Sequence, residues 1–187
     1  MIRSHPLRTI AIGIVLVLLL AAGFVYAGVY NVAADEPHTR PVYALLDAAR
    51  DRSIAVRAAS VAVPADLNTP ARIRSGASLY AEMCQGCHLG PGIAPTEMAQ
   101  GLYPQAPHLA AGTDMTPAEE FWIIKHGVKM SGMPAWGKTH PDVLMWNMVA
   151  FLNQLPHLTP VQYAAMTADA PADHDEQMQG AHPDHHD

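Results

Sequence analysis

Two cysteines three positions apart, with a histidine directly after the second, constrain this chain more than any other feature: Met83-Cys84-Gln85-Gly86-Cys87-His88. No other cysteine occurs in the 187 residues, so both are consumed by one motif. The spacing is the attachment signature of a c-type haem. Each thiol closes a thioether on one vinyl group of the macrocycle, and the next imidazole is carried beneath the ring to ligate iron. Cys84 and Cys87 are then the tethers and His88 the proximal ligand. A disulfide or thioredoxin-like pair uses the same two cysteines but leaves His88 without a task. A structural zinc needs four ligands, and no second paired-cysteine motif follows.

The length allows one modest domain with attachments. A net charge of -6 and the lack of a basic stripe exclude nucleic acid as a partner class. Arg3 and Arg8 precede an uncharged run of 26 residues, Thr9 to Ala34, rich in Leu, Ile, Val and Ala. About 20 apolar residues cross a bilayer core, so residues 1–34 are expected to be a transmembrane helix. A cleaved signal peptide competes with this reading, although its apolar stretch is ordinarily about 7–15 residues. Arginines before the run and acids after it place the N-terminus in the cytoplasm and the rest outside a bacterial inner membrane, in the periplasm. Haem c is attached on that exported side, so span and motif agree.

Residues 35–68 read as a stalk with a short helix from Pro41, on which Val42, Leu45, Leu46 and Ala49 share one apolar face. Either that helix packs loosely on the next domain or it docks a partner subunit. Thr69-Pro70 opens a helix, a capping residue followed by proline at the first helical position. Ile73, Ala77, Tyr80 and Cys84 recur along one face of it, straight into the motif. Gly76, mid-helix, costs about 1 kcal/mol relative to alanine, which makes sense where a second helix crosses closely. From Leu89 to Thr113 repeated Gly and Pro predict a long loop, with Leu102, Tyr103 and Leu109 as candidate haem-lining residues. Thr116-Pro117-Ala118-Glu119 is a capping box, starting a helix that Gly127 ends. Val128 to Gly137 is expected to be an extended loop presenting Met130 and Met133. A last helix, from about Asp142 to Leu155, carries the apolar stripe Leu144, Met148, Phe151 and Leu155. Residues 161–187 are expected to be a disordered tail; after Thr167 it holds six acids and four histidines, with neither lysine nor arginine.

A helix leading into the motif, a later Met-Pro loop and a C-terminal amphipathic helix resemble the class I c-type cytochromes. The likeness covers residues 69–160 and implies an all-α haem domain of three to four helices with long loops, preceded by the transmembrane helix. It implies one covalent haem c and places Gly76 opposite Phe151 where first and last helices cross. It also implies that a proline carbonyl accepts a bond from the proximal histidine, which Pro107, in Pro107-His108-Leu109, matches, with Leu109 beside the haem. The distal ligand of that family is a methionine before proline, here Met133. Met130, His126 and His140 are the rivals.

A Met/His pair raises the reduction potential and leaves no vacant iron position. The expected function is single-electron transfer without catalytic residues, as a carrier or a subunit of a respiratory or dehydrogenase complex. Redox proteins are the expected partners. The alternatives are a haem-based redox or gas sensor, and metal handling by the histidine-rich tail.

Overall fold

The computed structural model describes residues 5–168. The chain divides into two compact units, 1–36 and 37–187. In the first, α1 spans His5–Tyr26. Twenty-two residues at about 1.5 Å each give a rod of about 33 Å, matched to a hydrocarbon core of about 30 Å. From Pro6 to Tyr26 it is long and apolar enough to cross a membrane. The helix stops eight residues short of the expected end at Ala34. Gly28, at φ +62°, takes the left-handed conformation that commonly closes a helix.

The second unit is all helical among the described residues, with α2 (Arg40–Ala58), α3 (Pro70–Leu79), α4 (Gln85–His88), α5 (Glu97–Gly101), α6 (Pro117–His126), α7 (Asp142–Leu152) and α8 (Pro160–Ala168). Between α3 and α4, Tyr80–Cys84 wind as a π-helical turn, so the motif is reached through a widened helix. Such turns are rare and concentrate at functional sites.

The centre of the unit is the crossing of α3 and α7. Gly76 is fully enclosed there: a Cβ at this position would overlap the Asn147 carbonyl oxygen and lie 2.8 Å from Phe151 Cβ. The missing side chain thus lets two backbones touch. Polar groups bracket the contact, with Arg72 donating to Asn147 Oδ1 at 3.0 Å and Asn147 donating to Ser75 Oγ at 3.0 Å. On one side of the crossing Leu79, Phe121, Met145, Met148 and Val149 form one apolar cluster, where Phe121 stacks on Trp146 at 4.1 Å. On the other, Tyr80, Phe151, Leu155 and Tyr163 form a second. α6 carries the predicted capping box, Thr116 and Glu119 exchanging bonds, and is tied to α7 by Lys125 and Asp142 at 2.7 Å.

One boundary shifts: residues 37–68 belong to the second unit rather than to a separate stalk, and the helix there packs on that domain. α2 runs 19 residues and packs on α6, burying Ile54 and Ala58. The N-terminal apolar set stays outside, with Leu45 71 % and Leu46 45 % exposed. Leu67, just before α3, is 5 % exposed in the core.

The tail also begins later than expected. Pro160–Ala168 is helical because Thr159 and Gln162 form a capping box, Gln162 N–H reaching Thr159 Oγ1 and Thr159 N–H reaching Gln162 Oε1. Tyr163 then seats its ring, 1 % exposed, against Gly90 and donates its hydroxyl to Gln85 Oε1 at 2.6 Å. Residues 169–187, with the four histidines, lie outside the described residues. Tyr163→Phe keeps the ring and deletes this bond, so a loss of about 1 kcal/mol is expected in thermal or denaturant unfolding. Unchanged stability would show that the bond contributes nothing.

Candidate functional site

Cys84 closes the π-helical turn and Cys87 and His88 follow on α4, which Leu89 ends at φ +60°. Tyr80 donates its hydroxyl to the Leu89 carbonyl at 2.7 Å, locking that turn to the helix before it. Thr96, the N-cap of α5, donates to the Gly86 carbonyl and so fastens the middle of the motif to the next segment. Cys87 Sγ lies 3.3 Å from Met98 Sδ on α5.

The His88 ring is held by one bond, Nδ1 to the Pro107 carbonyl at 2.9 Å. A carbonyl oxygen only accepts, so Nδ1 carries the hydrogen and Nε2 keeps its lone pair. Burial pushes the ring below its ordinary pKa, the bond to Pro107 opposing, which favours the neutral base. Orienting a ring through its other nitrogen in this way is how proteins aim an imidazole at a metal. Leu109, on the short turn Leu109–Ala111, packs against the same apolar cluster as Cys84.

Cys84 is partly buried, in contact with both clusters, and burial pushes its thiol up to about 12, with Cys87 adding to the rise. Thiol–disulfide catalysts need the opposite, a thiol lowered toward neutrality. The environment therefore argues against a redox cysteine pair.

The Met-Pro loop folds back on itself. Gly127 adopts φ +64°, and a Cβ there would meet the Met133 carbonyl oxygen at 2.7 Å and the Pro134 carbonyl oxygen at 2.8 Å, so only glycine fits. Ser131 donates to the Val128 carbonyl and accepts the Met133 N–H, at 2.8 and 3.2 Å. Leu102, from the long loop, packs over Gly132. Met133 is partly buried against the core, whereas Met130 is 87 % exposed with φ +58°. His126 lies beside Trp122, ring centroids 4.7 Å apart. His140 is buried, its Nδ1 held by Thr139 Oγ1 at 2.8 Å and near the Trp136 carbonyl at 3.3 Å. Of the four candidates, Met133 alone is a methionine turned toward the interior.

Tyr103, expected only as lining, accepts the His38 N–H at 2.7 Å and so ties the segment before α2 to the long loop. The sequence reading missed the π-helical turn and Glu120, whose carboxyl is buried on α6 with Oε2 lacking a hydrogen-bond partner. Neither carries a signal in the residue pattern: Glu120 reads as one more acid in a capped first turn.

A glycine-mediated crossing of α3 and α7, an attachment motif just after α3 and a methionine loop before α7 define a c-type cytochrome domain. Residues 71–152 match the family described as cytochrome c oxidase, cbb3-type, subunit III. The chain thus carries a cytochrome c domain, which implies covalently bound haem c. No curated protein and no solved structure matches it.

Proposed function

We propose that the protein moves single electrons through one haem c, held by Cys84 and Cys87 and ligated by His88 and Met133. The residues fit the group. Both cysteines of the chain lie in one motif, the His88 Nε2 lone pair is left available, and a thioether sulfur sits inward on a loop fixed by Gly127 and Ser131. Leu109 and Leu102 supply apolar wall. When bound, the haem supplies a one-electron couple, and this chain's residues hold it still and keep water away.

On this reading α1 anchors the domain at a bacterial inner membrane, with the haem domain in the periplasm. Tethering raises its effective concentration for a neighbouring complex. The matched family's description as an oxidase subunit supports service to a respiratory complex as a subunit rather than free diffusion.

The observation that carries the proposal is the setting of each ligand candidate: His88 is aimed by Pro107, and Met133 is partly buried on a constrained loop. His88 and Met133 would then both hold the iron, which suits a carrier and leaves no place for a gas ligand. The full-length, haem-loaded protein, reduced and exposed to carbon monoxide, should keep its absorption spectrum. Ready formation of a carbonyl adduct would overturn the carrier reading and favour a gas sensor.

A further inference from the structure

Glu120 is the structure's clearest electrostatic anomaly, and electron carriage as described above gives it no role. It is 9 % exposed, Oε1 lies 2.7 Å from Thr113 Oγ1, and Oε2 is buried without a partner. An ionised carboxylate here would spread its charge over two oxygens while receiving one hydrogen bond, a costly arrangement in an apolar setting. A protonated carboxyl is better served. Thr113 Oγ1 donates to Oε1, and protonation removes the uncompensated charge from the buried Oε2. Burial accordingly raises the carboxyl above its ordinary range, the Thr113 bond opposing. Its place in the first turn of α6 pulls the other way, since a helix N-terminus favours an anion. Burial and the helix terminus thus act on the carboxyl in opposite directions.

Glu120 also borders a cavity of about 190 Å³, lined further by Leu109, Thr113, Leu152, Asn153 and His157. That is room for several waters, whose share of liquid is about 30 Å³ each. Leu109 belongs both to this cavity and to the proposed haem wall, and Leu152 and Cys84 pack on the same apolar cluster. The cavity beside Glu120 thus adjoins the proposed haem wall, the route by which a charge change there would act on the carboxyl.

We propose that Glu120 exchanges a proton with solvent in step with the electron carried by the haem. It releases one proton into the cavity when one electron leaves for a redox partner, and takes one back when an electron returns. The proton lost offsets the positive charge gained. This rests on the haem assignment above. His157 is the other titratable group at the cavity. Among the charged groups of elements packed on α6, Lys125 pairs with Asp142, Glu119 bonds Thr116, Arg50 pairs with Asp47 and Asp51, and Arg57 bonds Ser53; Arg40 and Arg52 of α2 and Lys138 on the turn Trp136–Lys138 complete the set.

The test is a spectroelectrochemical titration of the full-length haem-loaded protein against pH, beside Glu120→Gln and His157→Gln, with reduced-minus-oxidised infrared difference spectra. The midpoint potential should fall with rising pH, tending to a tenfold change in the oxidised-to-reduced ratio per unit, about 59 mV for one electron. Glu120→Gln should flatten that slope and remove a protonated-carboxyl band that disappears on oxidation. Parallel curves for wild type and Glu120→Gln, or a slope abolished only by His157→Gln, would overturn the proposal. If Glu120→Gln fails to load haem, the wild-type infrared spectrum decides, and a spectrum without that band overturns it. A wild-type chain with no haem absorption would instead sink the parent assignment.

Discussion

Replacing Gly76 by alanine should destabilise the helical domain by about 3 kcal/mol, and by valine should prevent it from folding. Overpacking a filled core ordinarily costs about 1–3 kcal/mol, because side chains can rotate away. Here the obstacle is backbone: the new methyl would overlap the Asn147 carbonyl oxygen and press on Phe151 Cβ at 2.8 Å. Relief requires α3 and α7 to separate, which opens both apolar clusters and breaks the Arg72–Asn147–Ser75 bracket. Gly101 is the control. Nothing lies within 4 Å of a Cβ there, so Gly101→Ala should leave the unfolding midpoint within about 0.5 kcal/mol of wild type. Circular dichroism melts of wild type and the three variants decide it. A Gly76→Ala protein as stable as Gly101→Ala would mean that the crossing is looser than described.

Met133→Ala should open the iron to carbon monoxide and lower the reduction potential, while Met130→Ala should do neither. Both residues sit on the loop after Gly127, three positions apart, and both are unbranched thioethers that suit iron. Their surroundings differ. Met133 packs inward and its backbone is held by Ser131 and Val128, whereas Met130 projects into solvent. On the proposed ligand set, loss of the inward sulfur would leave the iron one protein ligand short, and Met/His ligation is the arrangement that holds the potential high. The tethers do not depend on this loop, so the variant should keep its haem and remain readable by absorption. Carbon monoxide uptake by Met130→Ala or His140→Ala, with Met133→Ala inert, would reassign the ligand.

Each of these outcomes turns on neighbours that are far away in sequence, and the same division runs through the whole molecule. The attachment motif, the apolar run, the capping boxes and the glycine that permits the crossing were all legible, because each rests on local chemistry. Even α8 was legible in principle. Thr159-Pro160-Val161-Gln162 repeats the pattern of Thr116-Pro117-Ala118-Glu119, and the acidic stretch beyond it masked the signal. The length of α2 and its packing were not. Val42, Leu45 and Leu46 make the better apolar face on paper, yet Ile54 and Ala58 are the pair of α2 that the fold buries.

By itself the sequence determined the helical class, the one place where a haem can be tethered, and the residue types able to hold its iron. Spacing and side-chain chemistry suffice for those. Only the tertiary structure decided that the Pro107 carbonyl meets His88, that Met133 rather than Met130 turns inward, and that Glu120 Oε2 is buried without a hydrogen-bond partner. Those outcomes depend on which surfaces exclude solvent when α3, α6 and α7 close on one another. Burial is a property of the assembled fold, which local spacing does not encode.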